Sequence, residues 1–233
     1  MNRNFTAFCA AMLAFAIMLV ICGGFWIRDT AFSFAQTDNN ESLVKSVYLT
    51  FDDGPSDRVT PKILDVLAEE NVKATFFIIG KQAESRKYIL ERQFKEGHTI
   101  AVHSYTHKYG EIYSSPESLI KDIDLCNKVI KSVTGGYSSI YRFPGGSFGL
   151  SEKLVSAVSA HGMRYVDWNA SVRDAEICNP TPAQLYQSAV TTASKTENVV
   201  LLAHDSTTKT ATAEALKNII KYFKAEGYIF EAF

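Results

Sequence analysis

Residues 47–54 read V-Y-L-T-F-D-D-G, an apolar stretch rich in β-branched and aromatic residues that ends in two carboxylates and a glycine. Such a stretch is typical of a buried β-strand followed by a turn. Polar residues also follow or close short apolar runs at three later places, as H-S-Y-T-H at 103–107, R-F-P-G-G at 142–146 and L-A-H at 202–204. The chain therefore concentrates its chemically active side chains at predicted strand ends.

Helical segments are predicted between these strands. Pro61 suits the first turn of a helix with Thr60 as its N-cap, and another helix is predicted from about Gln82 to Lys95. The alternation of strands and helices indicates an α/β fold with a parallel sheet and right-handed crossovers. About seven such strands can form a closed or nearly closed barrel, which carries its site at the C-terminal strand ends. A flat doubly wound sheet is the alternative, but its site would lie at one switch point rather than after several strands.

The N-terminus differs in composition from the rest of the chain of 233 residues. No charged residue occurs from Phe5 to Ile27, and Arg3 precedes this stretch. Since roughly 20 apolar residues span a bilayer, the stretch indicates a signal anchor that leaves the domain outside the cytoplasm. A signal peptide cleaved near Ala35 is the alternative. The expected organisation is a membrane segment at 1–35, a linker at 36–46 and one catalytic domain at 47–233.

The net charge and the cysteine content exclude few classes of function. The net charge of −1 gives no electrostatic reason to expect a nucleic-acid partner. Cys126 and Cys178 could pair in an exported domain, or could remain two separate thiols. The sequence favours neither arrangement strongly.

One carboxylate and two imidazoles could hold a divalent metal. Asp52 and Asp53 directly follow the first strand, and adjacent residues at a strand end cannot both point the same way. One can therefore bind a metal while the other faces the substrate water. His103 and His107 are four apart and would share a face if the segment turned helically. Aspartate with two histidines suits zinc or a neighbouring divalent metal with a position open for water. Each motif alone also fits a simple turn or structural histidines.

The remaining strand ends supply groups for acid–base chemistry. A fixed guanidinium at Arg142 would lower the pKa of a neighbouring carboxylate. The glycines after Pro144 would let the backbone approach a ligand, so that an N–H could bind an oxyanion. His204 could donate a proton to a leaving amine, although a buried structural histidine is the simpler interpretation of that motif alone. Together the groups suit metal-assisted hydrolysis of an acyl group.

These motifs, taken in order, resemble the polysaccharide deacetylase family, carbohydrate esterase family 4. The resemblance extends from about Val47 to Phe233. It implies a distorted (β/α) barrel that removes acetyl groups from N-acetylated sugars, or in some members O-acetyl groups. By this resemblance Asp52 is the general base, and the metal ligands are Asp53, His103 and His107.

The resemblance also implies roles for the substrate side of the site. Arg142 would tether Asp52, and the Gly145 amide would bind the oxyanion. Leu202 would line the acetyl pocket, and Asp174 would orient His204, the general acid. Two positions depart from the family pattern. Ala175 replaces a tryptophan of the acetyl pocket, and Gly145 replaces an aromatic residue, so the pocket shape and the substrate are open.

The expected substrate is peptidoglycan, because membrane tethering and a small domain fit a cell-wall polymer. Chitin oligosaccharide and O-acetylated xylan are alternatives, as is a catalytically weak relative that only binds glycan. Zinc is the first expectation for the metal, with cobalt or nickel as alternatives. The protein is expected to act as a monomer at the membrane without a nucleic-acid partner.

Overall fold

The computed structural model describes residues 44–233. The expected signal anchor or signal peptide at 1–35 and most of the expected linker lie outside the described residues. Across 44–233, no helix has both the length and the apolar character needed to cross a membrane.

A single parallel sheet forms the centre of the domain. Its strands follow the order β5-β4-β3-β2-β1-β7-β6, and β8 pairs separately with β1. The end strands β5 and β6 do not pair with each other within the described residues, so the sheet is a half-barrel and not a closed barrel. The strands are β1 (Ser46–Asp52), β2 (Thr75–Ile79), β3 (Thr99–Ser104), β4 (Ile140–Tyr141), β5 (Arg164–Tyr165), β6 (Ala170–Ser171), β7 (Asn198–His204) and β8 (Ile229–Glu231).

Helices connect the strands, as the alternating pattern predicts. Pro116 begins one of them, and its preceding Ser115 side chain accepts a hydrogen bond from the backbone N–H of Ser118. Thr181 and Gln184 form a capping box at another. The helices are α1 (Thr60–Glu69), α2 (Gly80–Ser85), α3 (Lys87–Lys95), α4 (Tyr109–Ile112), α5 (Pro116–Thr134), α6 (Glu152–Ala160), α7 (Pro182–Ala193) and α8 (Thr210–Ala225).

Two details of the predicted helices were wrong. The single helix expected over residues 82–95 is broken at Arg86, whose φ of −132° is not helical. The Arg86 guanidinium instead binds the Asp57 carboxylate at 2.8 Å, which ties the break to the loop after β1. Thr60 is the first residue of α1 and Val59 is its N-cap, and the Thr60 hydroxyl donates to the Asp205 carboxylate at 2.6 Å instead of capping the helix.

The central strand β1 determines which polar groups become neighbours. It pairs along its whole length with β7, in a register that sets Asp52 opposite His204. On its other side, β8 pairs with Ser46–Tyr48 and β2 with Thr50–Asp52. The N-terminal half of β1 therefore binds β8, and its C-terminal half contributes to the site.

Apolar faces of the helices cover this sheet and form one core. Phe51 of β1 stacks on Phe76 of β2 with ring centroids 5.2 Å apart, and α8 adds fully or almost fully buried residues such as Ile220. Each such side chain contributes roughly 1.5–3 kcal/mol by burial. Cys126 is buried in this core and Cys178 is exposed, and both are free thiols, so the alternative of a disulfide between them is wrong.

Candidate active site

Parallel pairing gathers the predicted site residues at the carboxyl edge of the sheet. Asp52 ends β1 and His204 ends β7 at the same level of the sheet. His103 lies near the end of β3, and the backbone N–H of Arg142 continues that ladder by donating to Val102. Because strands of a parallel sheet end at a common edge, motifs far apart in sequence meet here.

Asp53, His103 and His107 form a compact triad. One candidate ligand atom from each lies within 4.8 Å of the other two. Asp53 Oδ1 is 3.5 Å from His103 Nε2 and 3.2 Å from His107 Nε2, and this buried oxygen has no hydrogen-bond partner. A buried carboxylate oxygen without a partner is costly unless something compensates its charge. The donor set and the unpaired oxygen both fit a divalent transition metal.

His103 is prepared to act as a neutral ligand. Its Nδ1 lies 2.8 Å from the backbone carbonyl of Arg142. Because a carbonyl only accepts, Nδ1 carries the proton and donates it, which leaves the Nε2 lone pair facing Asp53. Burial lowers the pKa of His103 to about 3, so the imidazole is uncharged at neutral pH.

His107 reaches the triad from a loop and not from a helix. It has a positive φ of 57°, and Asp53 has one of 73°, so the helical turn that the spacing suggested is absent from this segment. A register shift between β2 and β3 at Ile78 and Ile79 places His103 in a bulge. The strained backbone at two of the three candidate ligands is a feature that concentrates at functional sites.

Asp122 of α5 organises this loop. Its carboxylate accepts hydrogen bonds from the Ser104 hydroxyl at 2.6 Å, from the backbone N–H of Tyr105 at 2.7 Å and from that of Thr106 at 3.0 Å. The Ser104 hydroxyl in turn accepts from the backbone N–H of His107 at 2.8 Å. The position of His107 is therefore fixed from the helix behind it.

Arg142 tethers Asp52 in the interior. Both side chains are buried, and Arg142 Nη1 donates to Asp52 Oδ1 at 2.9 Å and to the Thr50 hydroxyl at 2.7 Å. Burial raises the pKa of Asp52, while Arg142 and His204 act in the opposite direction. The expected lowering by Arg142 is therefore present, but burial outweighs it.

His204 and Asp174 form a second charged unit. His204 Nδ1 donates to Asp174 Oδ1 at 2.7 Å, and its backbone N–H donates to Oδ2 at 2.9 Å. Burial by itself lowers the pKa of His204, but the hydrogen bond to Asp174 and the carboxylates of Asp174, Asp52 and Asp53 raise it to about 9. The imidazole is therefore protonated at neutral pH and can donate a proton.

The R-F-P-G-G turn forms another side of the site. Gly145 is exposed and has a φ of +78°, and a Cβ there would lie 3.1 Å from Tyr109 Oη. A Cβ on Gly146 would lie 3.1 Å from both Phe148 and Trp168. Glycine is thus needed at both positions, which leaves room for the aromatic rings beside the turn.

Leu202 and Ala175 complete the sequence-predicted set. Leu202 pairs with Thr50 across the sheet and is almost completely buried. Ala175 is exposed next to buried Asp174. The functional roles of Leu202, Gly145 and the other site residues remain predictions, although the structure places the triad, Asp52, Arg142, Asp174 and His204 at one edge.

Sequence reasoning missed several residues that support the site. Asp122 lies on the same helical face as Leu119 and Ile123 and is buried with them, and a carboxylate on an apolar face was the signal for it. Asp205 is completely buried, and a Cβ on Gly54 would lie 2.1 Å from its carboxylate. The D-G pair at 53–54 therefore needs glycine because Asp205 approaches its backbone.

A half-barrel with a metal-type triad beside a tethered carboxylate and a protonated imidazole is the arrangement of a hydrolase. Residues 39–166 match the family model described as polysaccharide deacetylase. The chain belongs to the polysaccharide deacetylase family, as its motifs suggested.

Named relatives and a solved structure agree with this membership. YheN of Bacillus subtilis, provisionally named a polysaccharide deacetylase, is 34% identical over 80% of this chain and 66% of its own length. A peptidoglycan-N-acetylglucosamine deacetylase of Bacillus cereus is 33% identical over 81% of this chain and 69% of its own. The catalytic domain of a peptidoglycan N-acetylglucosamine deacetylase from Eubacterium rectale is 37% identical, with a TM-score of 0.75, covering 81% of this chain and 88% of that one. The chain thus spans about two thirds of the length of these two curated relatives.

Proposed function

We propose that this protein removes acetyl groups from N-acetylated amino sugars of cell-wall polysaccharide, with peptidoglycan as the first candidate, in a metal-dependent reaction. The observation that carries the proposal is the meeting of the triad, Asp52 and His204 at one sheet edge. The names of the Bacillus cereus and Eubacterium rectale proteins support N-acetylglucosamine as the sugar.

A divalent cation held by Asp53, His103 and His107 would polarise the acetyl carbonyl and lower the pKa of a nearby water. The protein's own groups carry the proton transfers. Asp52 accepts a proton as the water oxygen bonds to the carbonyl carbon, and Arg142 keeps the carboxylate in place. The Gly145 N–H donates to the oxyanion. The carbon–nitrogen bond then breaks as His204 Nε2 gives its proton to the departing amine, and acetate is released.

Zinc is the proposed metal, with cobalt or nickel as alternatives that the same ligands accept. The test is to remove metal with a chelator and to add back each metal separately. We expect acetate release to disappear on chelation and to return with zinc. Full activity in rigorously metal-free protein would contradict metal dependence.

Acetate release from a panel of defined glycans tests the substrate. N-acetylglucosamine oligomers, N-acetylmuramic acid-containing fragments, chitin oligosaccharide and acetylated xylan should be compared under identical conditions. The matched control is Asp52→Asn, which keeps the shape of the base but removes its charge. Activity on xylan alone would contradict the proposal, as would release of acetate that survives Asp52→Asn.

We further propose that the domain acts as a monomer outside the cytoplasm, tethered by the uncharged stretch from Phe5 to Ile27. The sequence of that stretch supports the tether. Cell fractionation and sequencing of the mature N-terminus test it. A protein recovered from the medium that begins near Gln36 would show a cleaved signal peptide instead.

A further inference from the structure

Tyr109 is an exposed aromatic residue at the mouth of the site. About half of it is open to solvent, at 48% relative exposure. Its ring meets the His107 imidazole edge-on with centroids 5.4 Å apart, and it meets Tyr113 edge-on at 5.8 Å. A single exposed aromatic residue is ordinary on a protein surface, but this ring lies directly beside a candidate metal ligand, where its apolar surface is available to a bound molecule.

The same ring lies over the turn that carries the expected oxyanion donor. A Cβ on Gly145 would lie 3.1 Å from Tyr109 Oη and 3.2 Å from Cε1. Tyr109 therefore lies next to both His107 and the Gly145 turn. A substrate whose carbonyl reached both the triad and the Gly145 N–H would therefore lie close to this ring.

The ring is also held in place before any substrate arrives. Tyr113 packs against it, and the Tyr113 hydroxyl donates to the Pro144 carbonyl at 2.8 Å. This contact links the loop of His107 to the turn of Gly145. A binding surface that is already ordered loses less conformational entropy when the ligand binds.

We propose that Tyr109 is a substrate-binding residue, and that its open ring surface packs against the pyranose ring of the sugar that carries the acyl group. The apolar C–H faces of a pyranose suit an aromatic surface, and the ring, not the hydroxyl, provides the contact. This inference rests on the proposed function, because it assumes that the substrate is a glycan.

The experiment measures binding apart from turnover. Zinc-loaded Asp52→Asn protein is titrated calorimetrically with an N-acetylglucosamine tetramer, with and without Tyr109→Ala or Tyr109→Phe. We expect Tyr109→Ala to raise Kd about tenfold, which corresponds to ~1.4 kcal/mol. Tyr109→Phe should stay within twofold. The matched control is Tyr137→Ala, since Tyr137 is exposed but lies over Lys131 and precedes β4, at the opposite edge of the sheet.

Kinetics of the otherwise unaltered protein give a second measurement. Tyr109→Ala should raise KM for the tetramer about tenfold and leave kcat and zinc affinity within about twofold, with no loss on a small aryl acetate. Tyr109→Leu, which retains bulk but lacks the aromatic surface, should raise KM as Tyr109→Ala does, whereas a KM that stays at the natural value in Tyr109→Leu would overturn the proposal and assign the alanine effect to disturbed folding.

The outcomes separate this inference from the proposed function. An unchanged KM and Kd in Tyr109→Ala would overturn it, as would an equal loss in Tyr109→Phe, which would assign the contact to the hydroxyl. Weaker zinc binding in Tyr109→Ala would also overturn it, because Tyr109 would then support His107. If the natural protein binds the tetramer through Tyr109 but releases no acetate, the proposed function fails and the inference holds.

Discussion

His103 and His204 lie at the carboxyl ends of strands of one sheet, yet their imidazoles are held in opposite protonation states. Burial lowers the pKa of His103 to about 3. The pKa of His204 is also lowered by burial, but its carboxylate partners raise it to about 9. The two rings have the same chemistry and differ in what Nδ1 faces, a backbone carbonyl at His103 and the Asp174 carboxylate at His204.

This difference shows how one residue type supplies two functions in one site. A neutral carbonyl fixes the tautomer of His103 without charging it, so Nε2 keeps a lone pair for a cation. A carboxylate both fixes the orientation of His204 and stabilises its charged form, so Nε2 is protonated and can donate its proton. The group that accepts the hydrogen bond from Nδ1 therefore determines whether each histidine is suited to bind a metal or to act as an acid.

The largest expected effect comes from removing the neutral histidine. His103→Ala should abolish tight zinc binding and reduce acetate release to background, because two ligands no longer hold the cation well. Zinc titration and acetate release measure both effects. His161→Ala is the control, since His161 pairs with Asp124 on the surface. Retained zinc affinity in His103→Ala would show that His103 is not a metal ligand.

Removing the charged histidine should have a smaller and substrate-dependent effect. His204→Ala should retain zinc and lose about 10²- to 10⁴-fold in turnover on N-acetyl sugars, whose amine must be protonated as it leaves. Aryl acetates need that proton less, so their loss should be smaller. Equal losses on both substrates would argue against His204 as the general acid.

Asp174→Asn should convert His204 partway towards an ordinary histidine. His204 donates only while protonated, so activity should fall as pH rises through the His204 pKa, at or below about 9 because a bound cation offsets the nearby carboxylates. Without the Asp174 charge this fall should move to lower pH, and each pKa unit corresponds to about 1.4 kcal/mol. A pH–rate profile measures the shift.

The same substitution has a predicted signature in stability. Because the folded pKa of His204 is raised, its stabilising contribution is complete below about pH 6.5 and is lost as pH rises through about 9. Asp174→Asn should therefore destabilise the protein more at pH 6 than at pH 10. A destabilisation independent of pH would assign Asp174 a purely structural role.

The smallest effect concerns the acyl pocket beside Asp174. If the space left by Ala175 is open, a propionyl group should be accepted, since one methylene changes binding by only ~1–3 kcal/mol. Ala175→Trp should then restore preference for acetyl. The measurement is turnover of N-acetyl against N-propionyl sugars, with Ala175→Ser as a size control. Strong acetyl preference in the natural protein that the tryptophan leaves unchanged would show that Trp168 or Phe148 already fills the space.

The sequence predicted the parts of the site that depend on regular structure. Strand ends in a parallel sheet meet at one edge, so the gathering of Asp52, His103 and His204 followed from the βα pattern alone. The half-barrel was less predictable, because β4, β5 and β6 are only two residues long and leave the sheet open. A strand of two residues is too short to show the alternation of apolar and polar residues by which a strand is recognised in a sequence.

The irregular backbone and the long-range polar contacts of the site could not be predicted from the pattern of strands and helices. The bulge at His103 and the positive φ of His107 flank residues that hydrogen-bond to Asp122, which lies in a helix that the pattern assigned to packing. Likewise, the short D-G turn gave no indication that Asp205 would lie against Gly54. Such contacts join residues whose spacing in sequence carries no signal.

The pairing of β1 with β7 is also expected to set the order in which the site assembles during folding. The two strands lie 152 residues apart in the chain, whereas Asp53, His103 and His107 belong to a much shorter segment. Contacts that close long loops form late, because the entropy of closure grows with loop length. A chain emerging from the ribosome, or refolding from denaturant, is therefore expected to gain affinity for a cation before Asp52 gains its partner His204. Incomplete chains would hold the metal and be unable to hydrolyse a substrate.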